Sequence, residues 1–167
     1  GDRLVDELDL ALATCGRSQE RRYQILTATD TGPSRSRNED ACYPLAQRQN
    51  PNYSAISMPL AIVCDGIGGH EGGSIASNLA INTLQQQLET LVKHEGAWEP
   101  AALTAELELA VCEANDQISQ RNDAEQRQQR QRMGTTLVMA LAQSHEIYIT
   151  HVGDSRAYWI ARHGCHQ

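Results

Sequence analysis

Apolar residues recur at two different spacings along this chain, and the switches between them mark out its elements. Leu4, Leu8, Ala11, Leu12 and Cys15 fall on one side of a helix, with Gly16 as its stop. Residues 23–29 are rich in β-branched and apolar side chains and predict a strand. The polar stretch 30–40, with Gly32 and Pro33, predicts a loop, and 41–46 predicts a second strand. Residues 47–57 carry Pro51 and no periodicity, as a surface insertion does. The run 60–64 is continuously apolar and breaks at Asp65-Gly66, the pattern of a buried strand that feeds a loop.

From Ile75 the period becomes helical. Ile75, Leu79, Thr83, Leu84, Leu88 and Leu91 form one stripe, with Ala76 and Ala80 as small residues beside it. Pro100 opens a second long helix at a position that favours proline, and Leu103, Leu107, Ala110, Val111, Ala114 and Ile118 carry it on. Its far end, 121–132, is Gln- and Arg-rich and reads as a solvated helix end or mobile loop rather than a binding tract. Gly134 then begins three strand-like runs, 135–142, 146–152 and 156–161, with 143–145 as the first turn. Strands, two long helices, then strands again do not alternate singly, which disfavours a doubly wound parallel sheet. The order predicts an α+β fold with a helix pair laid on a mostly antiparallel sheet.

Composition narrows the function classes. A chain of 167 residues with this aliphatic content makes one core. A net charge of −7 argues against nucleic acid as partner, since phosphate backbones call for clustered Lys and Arg. Five cysteines without a CxxC pair read as reduced thiols of a cytoplasmic protein. No apolar run is long enough for a bilayer, and no charged-then-apolar leader opens the sequence, so no membrane partner is expected.

Three segments carry candidate chemistry. In Arg35-Ser36-Arg37-Asn38-Glu39-Asp40, extended backbone would turn Glu39 and Asp40 to opposite faces, so that one could meet a metal while the other anchors the loop. Arginine suits phosphate because its planar donors reach two oxygens at once. The run Cys64-Asp65-Gly66-Ile67-Gly68-Gly69-His70-Glu71-Gly72-Gly73 brings an aspartate off a buried strand into glycines, where a backbone carbonyl can reach the same ion as the carboxylate. Hard cations such as Mg²⁺ and Mn²⁺ take such oxygen ligands. This is no Walker loop, lacking the terminal Gly-Lys-Ser/Thr. The third segment, His151-Val152-Gly153-Asp154-Ser155-Arg156, sits at a strand-to-strand turn. Each has an ordinary reading as a polar loop or turn when taken alone.

Taken in order with Gly134-Thr135-Thr136, these segments resemble the metal-dependent serine/threonine phosphatases of the type 2C family, bacterial type, over roughly 27–161. The resemblance implies a central antiparallel β-sandwich flanked by antiparallel helix pairs, four layers in all. It implies hydrolysis of phosphoserine or phosphothreonine in a phosphorylated protein substrate at two Mg²⁺ or Mn²⁺ ions, by attack of a metal-activated water. Asp65 would bridge the two ions, the Gly66 carbonyl would bind one, and Glu39 would serve it with Asp40 beside it. Arg35 would hold the substrate phosphate, and Asp154 would help hold a third, weaker ion. Ile67 stands where many eukaryotic members carry a histidine, and His70, three residues on, does not replace it.

Family members continue past the position of Gln167 and supply two more aspartates. The expectation is therefore a catalytic domain, 22–167, incomplete at its C-terminal side and preceded by a flanking helix, 1–21, with weak or no activity by itself. Its uncovered sheet edges would invite self-association. The alternative is a non-catalytic module that keeps the front half of the fold for binding or regulation.

Overall fold

A computed structural model describes residues 23–45, 59–68, 71–92, 98–143 and 145–167 of the chain. The predicted helix at 2–15, the insertion at 47–57 and His70 lie outside the described residues.

Strand β1, Asp40–Tyr43, pairs antiparallel with β2, Leu60–Ile67. Two helices follow, α1 at Gly72–Val92 and α2 at Pro100–Ala124. After a short 3₁₀ turn at Gln129–Gln131 come β3, Gly134–Thr135, β4, Leu137–Gln143, and β5, Glu146–Val152. These strands make one antiparallel sheet in the order β1-β2-β4-β5, with β3 also on β2. A separate hairpin, β6 at Trp159–Ala161 and β7 at Gly164–His166, closes the described chain. The predicted α+β class with antiparallel sheet holds. Of the four layers expected, the described residues form one five-stranded sheet and one helix pair, with the β6-β7 hairpin apart from them.

Burial alternates along β2 because the described residues cover only one face of the sheet: Leu60, Ile62, Cys64 and Gly66 face the helices and are buried. Register puts Ile62 between Tyr43 and Met139. Over this face lie Leu84, Leu88 and Leu91 from α1, with Leu103 and Leu107 from α2. Ala76 and Ala80 belong to this core rather than beside it, as do Ala110 and Ala114, because a small side chain lets helix and neighbour approach closely. Pro100 takes the first turn of α2, and the Glu99 carboxylate caps it, accepting from the amides of Ala101 and Ala102 at 3.0 and 3.2 Å.

Several boundaries differ from the periodicity. Residues 23–29 alternate half-buried and exposed but make no strand, since no described segment offers them a ladder; the Thr27 hydroxyl instead donates to the Pro44 carbonyl at 2.8 Å. β2 runs on to Ile67, past the predicted break at Asp65, because β3 pairs with Gly66 and Ile67. α1 begins at Gly72, before the first apolar residue of its stripe. The predicted run 156–161 keeps only its last residues as strand, where β7 pairs with them. The segment after α2 is mostly solvent-exposed, as expected of a solvated helix end, while Asn122 in the last turn of α2 is 3 % exposed and ties the helix to Met133.

The face of the sheet away from the helices is uncovered among the described residues. Val63, Ile147 and Ile149 are 48 %, 42 % and 52 % exposed there. No helix among the described residues is long and apolar enough to cross a membrane.

Candidate metal centre

The sheet register builds the site. β1 and β2 place Asp40 directly opposite Asp65, both on the face away from the helices. Continuing the same row, Thr136 flanks Asp65 on its other side. Its amide donates to the Asp65 carbonyl at 2.9 Å, and its hydroxyl accepts from the Asp65 amide at 3.0 Å. Gly153 ends the row: a Cβ there would lie 2.9 Å from Cγ2 of Thr136. The Thr136 hydroxyl also meets the Ser155 hydroxyl at 2.6 Å. Asp65 is thus fixed by its backbone, and its carboxylate lies on the exposed face beside Asp40.

Asp40 is exposed as a residue, yet its carboxyl sits above the usual carboxylate range. Partial loss of water is the first cause, followed by the charge of Asp65 and a hydrogen bond with it; Arg35 pulls the other way. Two carboxylates held this close repel each other when both are charged. A hard divalent cation relieves that repulsion, and Mg²⁺ commonly binds through one or two carboxylates while keeping several waters. The donor pair therefore fits such an ion.

Glu39 turns the opposite way from Asp40, as extended backbone requires. A Cβ on Gly73 would lie 2.9 Å from Cδ of Glu39, so this carboxylate rests at the start of α1. There it pairs with Arg35 at 3.0 Å. Its backbone carbonyl accepts from the Gly66 amide at 3.2 Å and from the Ser77 hydroxyl at 2.8 Å. Gly66 and Gly73 touch backbone to backbone: a Cβ on Gly66 would lie 2.1 Å from the Gly73 carbonyl oxygen. The glycines are there because strand and helix start approach too closely for any side chain.

The predicted residues are brought together only in part. Asp40 joins Asp65, and Arg35 joins Glu39. Asp154 is exposed and lines an open cleft of about 430 Å³ with His151, Ser155 and Arg156, and its neighbours Gly153 and Ser155 both meet Thr136, which brackets Asp65. No group of three or more His, Cys, Asp or Glu able to hold a metal forms among the described residues. Ile67, at the position of the missing histidine, is exposed. Cys165 and His166 pair within the terminal hairpin and take no part in the carboxylate row.

Residue patterning understated Thr136, Ser77, Gly73 and Asn122. Asn122 had a signal: it continues the apolar stripe of α2 four residues after Ile118, where a polar side chain must find buried partners. Thr136 stands in the Gly134-Thr135-Thr136 run that carries the resemblance, but a threonine at a strand start does not by itself say that it pairs with Asp65.

A family model described as Protein phosphatase 2C matches residues 33–166. The chain belongs to the protein phosphatase 2C family. Among its relatives, the serine/threonine phosphatase stp of Listeria monocytogenes serotype 4b is 34% identical over 142 residues, covering 81% of this chain and 49% of the relative. Serine/threonine protein phosphatase PstP of Mycobacterium tuberculosis is 33% identical over 131 residues, 78% of this chain and 21% of the relative. In structure, the PstP catalytic domain in complex with 2 manganese ions superposes with a TM-score of 0.62 at 30% identity, over 81% of this chain and 50% of that one. The S. agalactiae serine/threonine phosphatase gives a TM-score of 0.66 at 26% identity, over 86% and 53%. The chain spans about half the length of the Listeria relative and of these two structures. As a protein phosphatase 2C member, it shares its fold with homologues named as serine/threonine phosphatases, one of them solved with manganese.

Proposed function

We propose that residues 22–167 form the N-terminal part of a catalytic domain that hydrolyses phosphoserine and phosphothreonine monoesters in proteins, with 1–21 as a flanking extension. The observation that carries this reading is the register pairing Asp40 with Asp65, two carboxylates whose mutual repulsion a Mg²⁺ or Mn²⁺ ion would relieve. When bound, such an ion makes a water acidic enough to act as a nucleophile near neutral pH. Asp65, with the Gly66 carbonyl beside it, is the central ligand; Asp40 and Glu39 support it, and Asp154 serves a further ion.

Arg35 faces the substrate phosphate. Its pairing with Glu39 holds the guanidinium beside the site until phosphate oxygens compete for it. The described cysteines are free thiols, Cys42 and Cys64 buried, which supports a reducing, cytoplasmic setting. β1 and β5 are the terminal strands of the sheet among the described residues, and edges left open there would let the chain associate with itself.

The test uses the domain at the relatives' full length, loaded with Mn²⁺. It should release phosphate from a phosphopeptide and from para-nitrophenyl phosphate, EDTA should stop it, and Asp65→Ala should lower turnover by roughly a hundredfold or more. Absence of turnover in the loaded, full-length domain sinks the reading. The 167-residue chain alone should turn over weakly or not at all.

One observation favours a second reading, a non-catalytic binding module: no three-ligand cluster forms among the described residues. Phosphopeptide binding without turnover in the full-length domain would select it.

A further inference from the structure

The segment that templates Asp65 is itself held from one end by a single buried side chain. The Asn122 amide, in the last turn of α2, clamps the backbone of Met133 twice: Nδ2 donates to the Met133 carbonyl and Oδ1 accepts from the Met133 amide, both at 2.8 Å. This is the hydrogen-bond pattern of a strand partner, supplied by a side chain. Asn122 is 3 % exposed and occupies a position on the apolar stripe where Leu103, Leu107 and Ile118 do the packing, so a leucine would suit the core as well. An asparagine there is costly unless both of its polar groups are used.

What Met133 touches makes the clamp more than local. A Cβ on Gly68 would lie 2.8 Å from Cα of Met133 and 2.9 Å from its Cβ; one on Gly72 would lie 3.1 Å from the same Cβ. Met133, itself 3 % exposed, therefore rests on both ends of the glycine segment that follows Asp65. Immediately after it, Gly134 and Thr135 pair with Ile67 and Gly66, and Thr136 brackets Asp65. The turn leading to Met133 is pulled back on α2 as well. The Arg127 amide donates to the Asn122 carbonyl at 2.9 Å, and its guanidinium lies against Gly72 while pairing with Glu125 at 2.6 Å. Gln126 and Gln129, both exposed, adopt φ of 54° and 46°, left-handed backbone that non-glycine residues take up mainly in tight turns.

We infer that Asn122 is a positioning residue for the metal site: by fixing Met133 it sets the register and height of 133–136 against 65–68, and so the placement of the Asp65 carboxylate and the Gly66 carbonyl. The inference rests on the reading of Asp65 and Gly66 as metal-bearing. Its reach is from the far end of a helix, through one methionine backbone, to a carboxylate that Asn122 never touches.

The test compares the 167-residue chain with its Asn122→Ala, Asn122→Asp and Leu107→Ala variants by amide hydrogen exchange and by Mn²⁺ titration followed by electron paramagnetic resonance. Leu107→Ala removes core packing from the same helix without touching Met133. In Asn122→Ala the amides of Gly66, Gly73 and Thr136 should exchange about tenfold faster or more while those of β4 and β5 hold, as expected when a buried donor and acceptor lose their partner. Asn122→Asp, which keeps the acceptor and loses the donor, should fall between. Leu107→Ala should raise all of these amides together. Mn²⁺ binding should weaken about tenfold in Asn122→Ala and remain near the parent value in Leu107→Ala.

Exchange at Gly66, Gly73 and Thr136 that stays unchanged in Asn122→Ala, or rises only in step with β4 and β5, overturns the inference. So does unchanged Mn²⁺ affinity in Asn122→Ala against a parent that binds. If the parent and Asp65→Ala bind Mn²⁺ equally poorly, the metal reading fails instead, and the exchange comparison decides the role of Asn122.

Discussion

Thr136 brackets Asp65 on its backbone, giving its amide to the Asp65 carbonyl and taking the Asp65 amide on its hydroxyl. A side-chain oxygen stands where strand pairing would normally supply a carbonyl, and the same hydroxyl reaches Ser155 at 2.6 Å. Thr136→Val keeps the shape and removes the acceptor. It should cost about 1–2 kcal/mol in chemical denaturation, the range for a polar group left without its partner. It should also weaken Mn²⁺ binding, and Thr136→Ser should restore both. Equal stability and affinity for Thr136→Val and the parent would show that the bracket does not hold Asp65.

The contact between Gly66 and Gly73 makes a sharper prediction. A methyl at either position would lie within 3 Å of backbone atoms that cannot swing aside. Gly66→Ala and Gly73→Ala should each destabilise by more than about 3 kcal/mol, the upper range of overpacking. Gly32 is the comparison: its φ of +74° strains any side chain, but nothing lies within 4 Å, so Gly32→Ala should cost only about 1 kcal/mol. Urea midpoints of the three variants order them.

Asp40 should trade stability against metal binding. Its carboxyl is raised above 3.8, so the folded state holds the proton more tightly than the unfolded chain. The sign follows: well below 3.8 the group is neutral in both states and contributes nothing, and as pH rises through the folded value its charge becomes a destabilising term. Asp40→Asn should therefore stabilise the metal-free chain by a few tenths of a kcal/mol at neutral pH, a small effect because the group is solvent-screened. The gain should vanish in acid. With saturating Mn²⁺ the order should reverse, the parent gaining more than the variant, as thermal melts with EDTA or Mn²⁺ would show.

The cysteines separate by environment. Burial pushes the Cys64 thiol up to about 12, only partly offset by its hydrogen bond with Thr135. Since the thiolate is the reactive form, Cys64 should resist iodoacetamide at mildly alkaline pH even though it adjoins Asp65. Cys112 and Cys165 are exposed and should label; Cys42 is buried and should not. Peptide mapping after labelling, native and in denaturant, reads this directly. Rapid native labelling of Cys64 would contradict its placement under α1.

Much of this was legible in the sequence, for identifiable reasons. The two long helices follow from stripes that only helical spacing can bury together, and Pro100 marks the start of the second. The glycine segment after Asp65 announced a close backbone approach. What periodicity could not give was register: nothing in 39–40 or 135–136 alone says that Asp40, Asp65, Thr136 and Gly153 fall in one row across the sheet. That row depends on strand pairing between segments far apart in sequence, and pairing is settled by the whole core. The strand expected at 23–29 failed for a related reason, because β-branched residues favour a ladder but cannot supply one. Arg35 and Glu39 pair with each other across four residues, a contact that the loop pattern alone does not give.

The sheet face bearing Val63, Ile147 and Ile149, uncovered among the described residues, has a consequence for how solutions of this chain behave. Two terms oppose each other between copies: attraction of the apolar face, which salt does not weaken, and repulsion from a net charge of −7, which it does. The range of that repulsion shrinks from about 30 Å at 0.01 M to about 8 Å at 0.15 M ionic strength. Light scattering from the isolated chain should then climb as sodium chloride is added. The colloidal life of this molecule is set by a charge that dilute buffer preserves and physiological salt largely hides.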